Sequence, residues 1–280
     1  MTMPNRFLSP KWIVAVLLAL VVWAVVTHLA LLQWGPVSLI YTGAAAMLAF
    51  ALLGIELLLR LVHLKTRTYT DYFQLQSVVS LYHTLQPPYP LFQMRKWGLG
   101  PDTATHYMYH IAREKPKVVV ELGSGTSTVI AGLALKQIDA GRVYALDDDS
   151  YWTSQSEEML RLHSLEANAE VRHAPMKEIE FQGERRHYYD LSVLDDLSSI
   201  DMLLVDGPHD MKDTLNRLPG LYLLADRLSD RATVFVDDTV RPNWRREAKR
   251  WAKENGFSMF EPKQNEHGLL ILQRNESSKK

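Results

Sequence analysis

The run Val118-Val119-Val120-Glu121-Leu122-Gly123-Ser124-Gly125-Thr126-Ser127-Thr128 constrains the fold more than any other stretch of the chain. Consecutive β-branched residues favour a strand covered on both faces. Gly123 and Gly125 then allow a tight turn in which backbone can approach a ligand closely. A helix follows and is closed near Lys136 and Gly141. A second strand, Arg142 to Leu146, leads into Asp147-Asp148-Asp149 at about the spacing at which α/β nucleotide sites place a ribose-binding carboxylate.

Two ligand classes fit a strand, a glycine turn and a helix. A nicotinamide dinucleotide fingerprint also begins Gly-x-Gly, but Thr128 stands where its third glycine belongs. Glu121, just before the turn, would repel a pyrophosphate and favour a ligand with ammonium and sulfonium charges, such as S-adenosylmethionine.

On these residues the chain resembles the class I S-adenosylmethionine-dependent methyltransferases, whose first motif is an acid followed by x-Gly-x-Gly. The likeness extends from about Leu99 to Gln273 and includes Val205-Asp206-Gly207-Pro208 and Val236-Asp237-Asp238. It implies an α/β, Rossmann-like seven-stranded sheet with helices on both faces. It also implies that Glu121 faces the methionine end of the cofactor, with Gly123, Ser124, Gly125, Thr126 and Ser127 forming its cradle. Asp147, with Asp148 beside it, would meet the ribose hydroxyls, although Asp147 to Asp149 could equally form a helix cap. Trp152 would cover the adenine or else be a core aromatic, and Arg172-His173-Ala174-Pro175-Met176 would line the adenine pocket. His187-Tyr188-Tyr189-Asp190 reads as an acceptor wall or as a seal on the sheet edge.

The N-terminal part follows a different logic. No Asp, Glu, Lys or Arg occurs between Lys11 and Glu56, and Trp12 to Trp34 and Val37 to Leu64 are each long enough to cross a hydrocarbon core as helices. Gly35-Pro36 separates them, which predicts a retained transmembrane hairpin over residues 1–65 rather than a cleaved signal. Arg6 and Lys11 precede the first span, and Arg60, Lys65 and Arg67 end or follow the second. Both termini and the catalytic domain are therefore expected in the cytoplasm, with the lipid bilayer as a partner. Zero cysteines fits either compartment. Glu56 is expected to pair with Arg60 one turn on, and His28 to be neutral.

Residues 66–100 read as a juxtamembrane helix with an aromatic face (Tyr69, Tyr72, Phe73, Tyr82), either at the lipid interface or packed on the domain. Pro87-Pro88-Tyr89-Pro90 then makes a stiff spacer. The catalytic domain is expected over 101–274, opened by a helix capped by Asp102, and 275–280 reads as a disordered tail. Short apolar runs place further strands at 170–173, 202–205, 233–236, 257–260 and 269–272. Helical periodicity appears at 150–165, 215–225 and 244–254. Glu261 to Gly268 is too short for a crossover helix, so the last two strands should form an antiparallel hairpin. In the helix carrying Arg241, Arg245, Arg246, Lys249, Arg250 and Lys253, a basic face lies opposite the stripe Trp244, Ala248, Trp251, and could be solvated or rest on anionic lipid. A net charge of −1 argues against nucleic acid as a partner.

Asp206, Asp237 and Asp238 follow strands whose carboxyl ends share the ligand-binding edge of a parallel sheet. Three converging carboxylates repel one another unless protonated or bridged, which makes a Mg²⁺ or similar divalent site reasonable. The positions resemble those of the catechol O-methyltransferase family, with Asp238 in place of that family's asparagine. The resemblance assigns Asp206 a catalytic and metal role and gives His209 the place of the general base. Lys212 is a second candidate. The expected activity is methyl transfer to a hydroxyl of a small or membrane-associated acceptor. A cofactor-binding sensor or scaffold is the alternative, and an NAD enzyme is a third reading.

Overall fold

The computed structural model describes residues 10–96, 98–209, 213 and 215–274, with side chains from residue 18 on. The tail expected at 275–280, Arg6, the Lys11 and Trp12 side chains, and Lys212 lie outside that description. Two compact units are present, residues 1–68 and 69–280.

In the first unit, α1 (Pro10–Trp34) and the start of α2 (Val37–Leu85) meet at the turn Gly35-Pro36. Apolar side chains such as Val21, Leu32, Ile40, Leu58 and Val62 are exposed. α2 is the one described helix long and apolar enough to cross a membrane, and the described apolar part of α1, Leu18–Trp34, is shorter. Glu56 and Arg60 pair at 2.7 Å, as their spacing predicts.

The expected second span and the expected juxtamembrane helix are parts of one helix, because nothing between Leu64 and Thr66 breaks it. Its C-terminal part belongs to the second unit. There Leu81 and Leu85 are buried in the helix layer beside the sheet, and the Gln137 amide donates to the carbonyls of Thr84 and Leu85 at 2.9 and 3.1 Å. Of the two readings of this segment, packing on the domain is observed for that face, while Tyr69, Tyr72 and Tyr82 remain exposed.

The second unit is a seven-stranded sheet of order β3-β2-β1-β6-β7-β9-β8. The central strands are β1 (Val118–Leu122), β2 (Arg142–Asp147), β3 (Ala169–His173), β6 (Ile200–Val205) and β7 (Leu228–Asp237), which run parallel. β8 (Phe257–Phe260) and β9 (Leu269–Arg274) form the expected antiparallel hairpin, with β9 inserted against β7. The helices α3 (Pro101–Glu114), α4 (Thr126–Gln137) and α5 (Ser150–Leu162) cover one face, and α6 (Leu218–Leu223) and α7 (Pro242–Glu254) the other. Strand alternation sorts the core: Val120 and Leu122 face the α6/α7 layer, whereas Val119 faces the α3/α4 layer.

Three expectations change. α3 is capped by Gly100, and Asp102 lies inside the first turn, where its carboxylate accepts from the Thr103 and Glu266 amides at 2.9 and 2.8 Å. The helix expected at 215–225 shrinks to α6 because Pro219 and Gly220 limit it, and a short 3₁₀ turn follows at Ala225–Arg227. A further hairpin, β4 (Met176–Phe181) with β5 (Glu184–Tyr189), packs Phe181, Tyr188 and Tyr189 into the core. On α7 the Trp244, Ala248 and Trp251 stripe is core. Its basic face is met by Glu261, which pairs with Arg245 at 2.5 Å and Lys249 at 2.7 Å.

Candidate active site

Strand alternation that buries Val119 also turns Glu121 toward the helices, so its carboxylate is enclosed and 0% exposed. Tyr107 of α3 donates to Oε1 at 2.9 Å. Ser127 and Thr128 of α4 donate to Oε2 at 3.1 and 2.6 Å. The Thr128 hydroxyl also accepts the Gly125 amide at 3.2 Å, which links the carboxylate to the glycine turn. Burial pushes the Glu121 carboxyl up to about 7, against the three hydroxyls that favour its charged form. Glu121, expected to face the cofactor's methionine end, here holds the turn and the start of α4.

The turn itself requires glycine. Gly123 has φ +107° and Gly125 φ +148°, and a Cβ at Gly123 would sit 3.4 Å from the Gly207 amide nitrogen. The loops after β1 and β6 are thus in close contact. A Cβ at Gly125 would meet nothing within 4 Å, so that side of the turn is open. Thr126 and Ser127 are buried at the start of α4.

Asp147 ends β2 and faces the same turn. Its Oδ2 accepts from the Ser124 amide and hydroxyl at 3.3 and 2.7 Å, and its Oδ1 accepts from the Asp149 amide at 3.1 Å. The Ser124 hydroxyl also lies 2.9 Å from that of Ser156 in α5. Capping falls to Asp149, which accepts the Tyr151 amide at 2.8 Å. Asp148 is exposed, and partial desolvation of its carboxyl, followed by the Asp147 and Asp149 charges, holds its pKa above the usual carboxylate value. Trp152, 57% exposed beside Tyr151, is not a core aromatic. Met176 opens β4 and is exposed.

At the far side of the turn stand the acidic ends of β6 and β7. Asp237 is buried and accepts from the Thr103 hydroxyl at 3.3 Å, and burial followed by the Asp238 charge raises its carboxyl to about 6. Burial likewise drives Asp206 upward, opposed by Arg217. The expected trio of Asp206, Asp237 and Asp238 does come to one edge, but with a residue the sequence did not single out. Arg217, at the start of α6, lies 3.3 Å from Asp206 and 3.1 Å from Asp238, and Arg241 reaches Asp238 at 3.0 Å. His267 Nδ1 is 3.8 Å from Asp238. Asp237, Asp238 and His267 offer atoms within 4.8 Å of one another, close enough to share a metal ion. A dication about 4 Å from either guanidinium would be repelled by on the order of 8 kcal/mol at an effective dielectric constant of about 20. Arg217 and Arg241 already place positive charge against these carboxylates. His209 is exposed beyond Gly207-Pro208.

An open glycine turn, a carboxylate at the end of β2 and an exposed aromatic beyond it suit an adenine nucleoside, and Thr128 stands where a dinucleotide site has its third glycine. A family model described as a methyltransferase domain matches residues 120–239. No curated protein matches the chain significantly. Among solved structures, the fold is similar to an SAH-bound methyltransferase from Podospora anserina, at 12% identity and TM-score 0.50, covering 75% of this chain and 96% of that one. It is also similar to an O-methyltransferase from Bacillus cereus in complex with SAH, at 15% identity and TM-score 0.50, covering 72% and 90%. At such identities the likeness speaks for the fold, and the family match and the glycine turn speak for the chemistry. Over residues 120–239 the chain matches a methyltransferase domain, in agreement with the resemblance to the class I S-adenosylmethionine-dependent superfamily.

Proposed function

We propose that this enzyme transfers the methyl group of S-adenosylmethionine to an oxygen of a small or membrane-associated acceptor, from a cytoplasmic domain anchored by two membrane spans. The observation that carries the reading is the open glycine turn flanked by Asp147 at the carboxyl edge of a parallel sheet. Bound cofactor supplies a methyl carbon made electrophilic by sulfonium. The chain's own part is to hold and orient. Gly123, Ser124, Gly125, Thr126 and Ser127 form the cradle. Asp147 and Asp148 meet the ribose, and Trp152 and Met176 flank the adenine. At the acceptor side His209 takes the hydroxyl proton, and Asp206 fixes the loop from which His209 projects. The neighbour named as an O-methyltransferase supports oxygen as the acceptor atom.

Calorimetry on the full chain in detergent, with S-adenosylmethionine, S-adenosylhomocysteine and NAD in turn, tests the cofactor. Micromolar binding of the first two is expected, and preference for NAD would reject the reading. Incubation with methyl-labelled cofactor and either a lipid or a soluble metabolite extract separates the acceptor classes. Label in neither, with cofactor bound, would favour the scaffold reading.

A second reading keeps a divalent cation. It is favoured by the convergence of Asp237, Asp238 and His267, and the metal titration described below decides it.

The two-span topology rests on the apolar length of α2, the shorter apolar α1 and the basic residues at the outer ends of the hairpin. The cysteine-free sequence makes labelling direct. In intact cells an impermeant thiol reagent is expected to modify Trp34→Cys from outside, and Ser258→Cys only after permeabilisation. The reverse pattern would overturn the orientation.

A further inference from the structure

The acidic edge of the sheet holds a positive charge of its own. Arg217 is 4% exposed and lies between Asp206 and Asp238, at 3.3 and 3.1 Å. Its Nη1 faces Asp238 as an ion pair, and its buried Nε has no hydrogen-bond acceptor among the described residues. Its place is fixed by its neighbours. The Asn216 side chain donates to the Pro208 carbonyl at 2.6 Å, which ties the segment before α6 to the loop after β6. On the other side Leu218 and Pro219 are buried. A guanidinium so placed is part of the packing and not a surface side chain that has folded inward.

We propose that Arg217 is the resident cation of the acceptor site. It stands where a divalent ion would otherwise bridge the carboxylates after β6 and β7, and its Nε, left without an acceptor, receives an acceptor oxygen that is, or becomes, anionic. The inference rests on the methyltransfer reading and specifies its electrostatics. A guanidinium carries its charge at every pH the protein tolerates, has fixed donor directions and is more weakly hydrated than an ammonium. Attack by the acceptor oxygen forms the new carbon–oxygen bond as the carbon–sulfur bond breaks. The sulfonium charge is neutralised as the acceptor gives up its negative charge or its proton to His209, so the step balances with one fixed positive charge beside it. Arg217 acts here as an electrostatic and positioning residue.

Mn²⁺ alone, titrated into the full chain in detergent and followed by electron paramagnetic resonance, is the test. Wild type is expected to show no stoichiometric binding. Arg217→Ala, which uncovers Asp206 and Asp238, should bind one Mn²⁺ at least about 100-fold more tightly than wild type, and Asp237→Asn added to it should weaken that binding. Stoichiometric binding by wild type that is lost in Asp237→Asn would overturn the proposal. So would the absence of binding in a folded Arg217→Ala protein. Circular dichroism establishes folding, with Arg217→Met as a variant of closer volume. If neither variant folds, wild type decides: binding overturns the proposal and no binding supports it. None of these readouts needs cofactor, so failure of the methyltransfer reading would appear separately, as absent S-adenosylmethionine binding.

Discussion

Glu121→Ala is expected to destabilise the protein by about 4 kcal/mol. It removes the shared acceptor of three buried hydroxyls, each worth about 1 kcal/mol or more when orphaned, and leaves a small cavity. For a domain of this size the melting temperature should fall by roughly 10 °C. Glu121→Gln separates charge from shape. The amide can still meet the three hydroxyls, which can turn to donate or accept, but it cannot titrate. The native carboxyl is raised by burial from 4.5 to about 7. A folded-state value above the unfolded one means that the native state binds the proton more tightly. The stability this group contributes is therefore fully present below about 4.5 and is lost as pH rises through about 7. The loss is on the order of 3 kcal/mol. Thermal unfolding between pH 5 and 8 should show wild type falling relative to Glu121→Gln. Parallel curves would show that the buried carboxyl does not titrate in that window.

The same residue shows what a sequence can reveal. Glu121 announces itself before a glycine turn, and the turn is where the sequence places it, because Gly123 and Gly125 have φ values that other residues rarely adopt. Which way the carboxylate faces depends on the strand's alternation. Val119 and Glu121 share a face, and that face is covered by α3 and α4. Six strands of the main sheet follow short apolar runs, β3 has only Ala169 and Val171 as its apolar residues, and the closing hairpin follows from a connection too short for a helix. β4 and β5 escaped because Lys177, Glu178, Glu184 and Arg185 face solvent and dilute the apolar signal. Two clues were there: the alternation of Ile179 and Phe181, and Gln182-Gly183, whose φ values of +54° and +80° make the tight turn. Arg217 left no trace of its role in the sequence. A single arginine before Leu218-Pro219 looks like any solvated helix start, and only the packing that brings α6 under the carboxyl ends of β6 and β7 puts it between two aspartates.

Asp147→Ala is expected to weaken S-adenosylhomocysteine binding by about 10²- to 10³-fold. Two charge-assisted hydrogen bonds to ribose hydroxyls, at about 1.5–3 kcal/mol each, account for a loss of that order. Asp147 also holds Ser124 through its amide and hydroxyl, so a loss of affinity could arise from a loosened turn without any contact to ligand. Two comparisons separate these causes. Ser124→Ala removes the hydroxyl that Asp147 and Ser156 share and leaves the carboxylate in place, so its effect should stay within about tenfold. The second comparison uses the 2′-deoxy analogue of S-adenosylhomocysteine. Wild type should prefer the natural nucleoside by at least about tenfold, a preference that only a group touching the hydroxyl can create, and Asp147→Ala should bind both alike. If the variant keeps the full preference while losing affinity, Asp147 braces the glycine turn only. The ribose would then be gripped by another group on this edge, and the exposed carboxylate of Asp148 is the nearest in sequence.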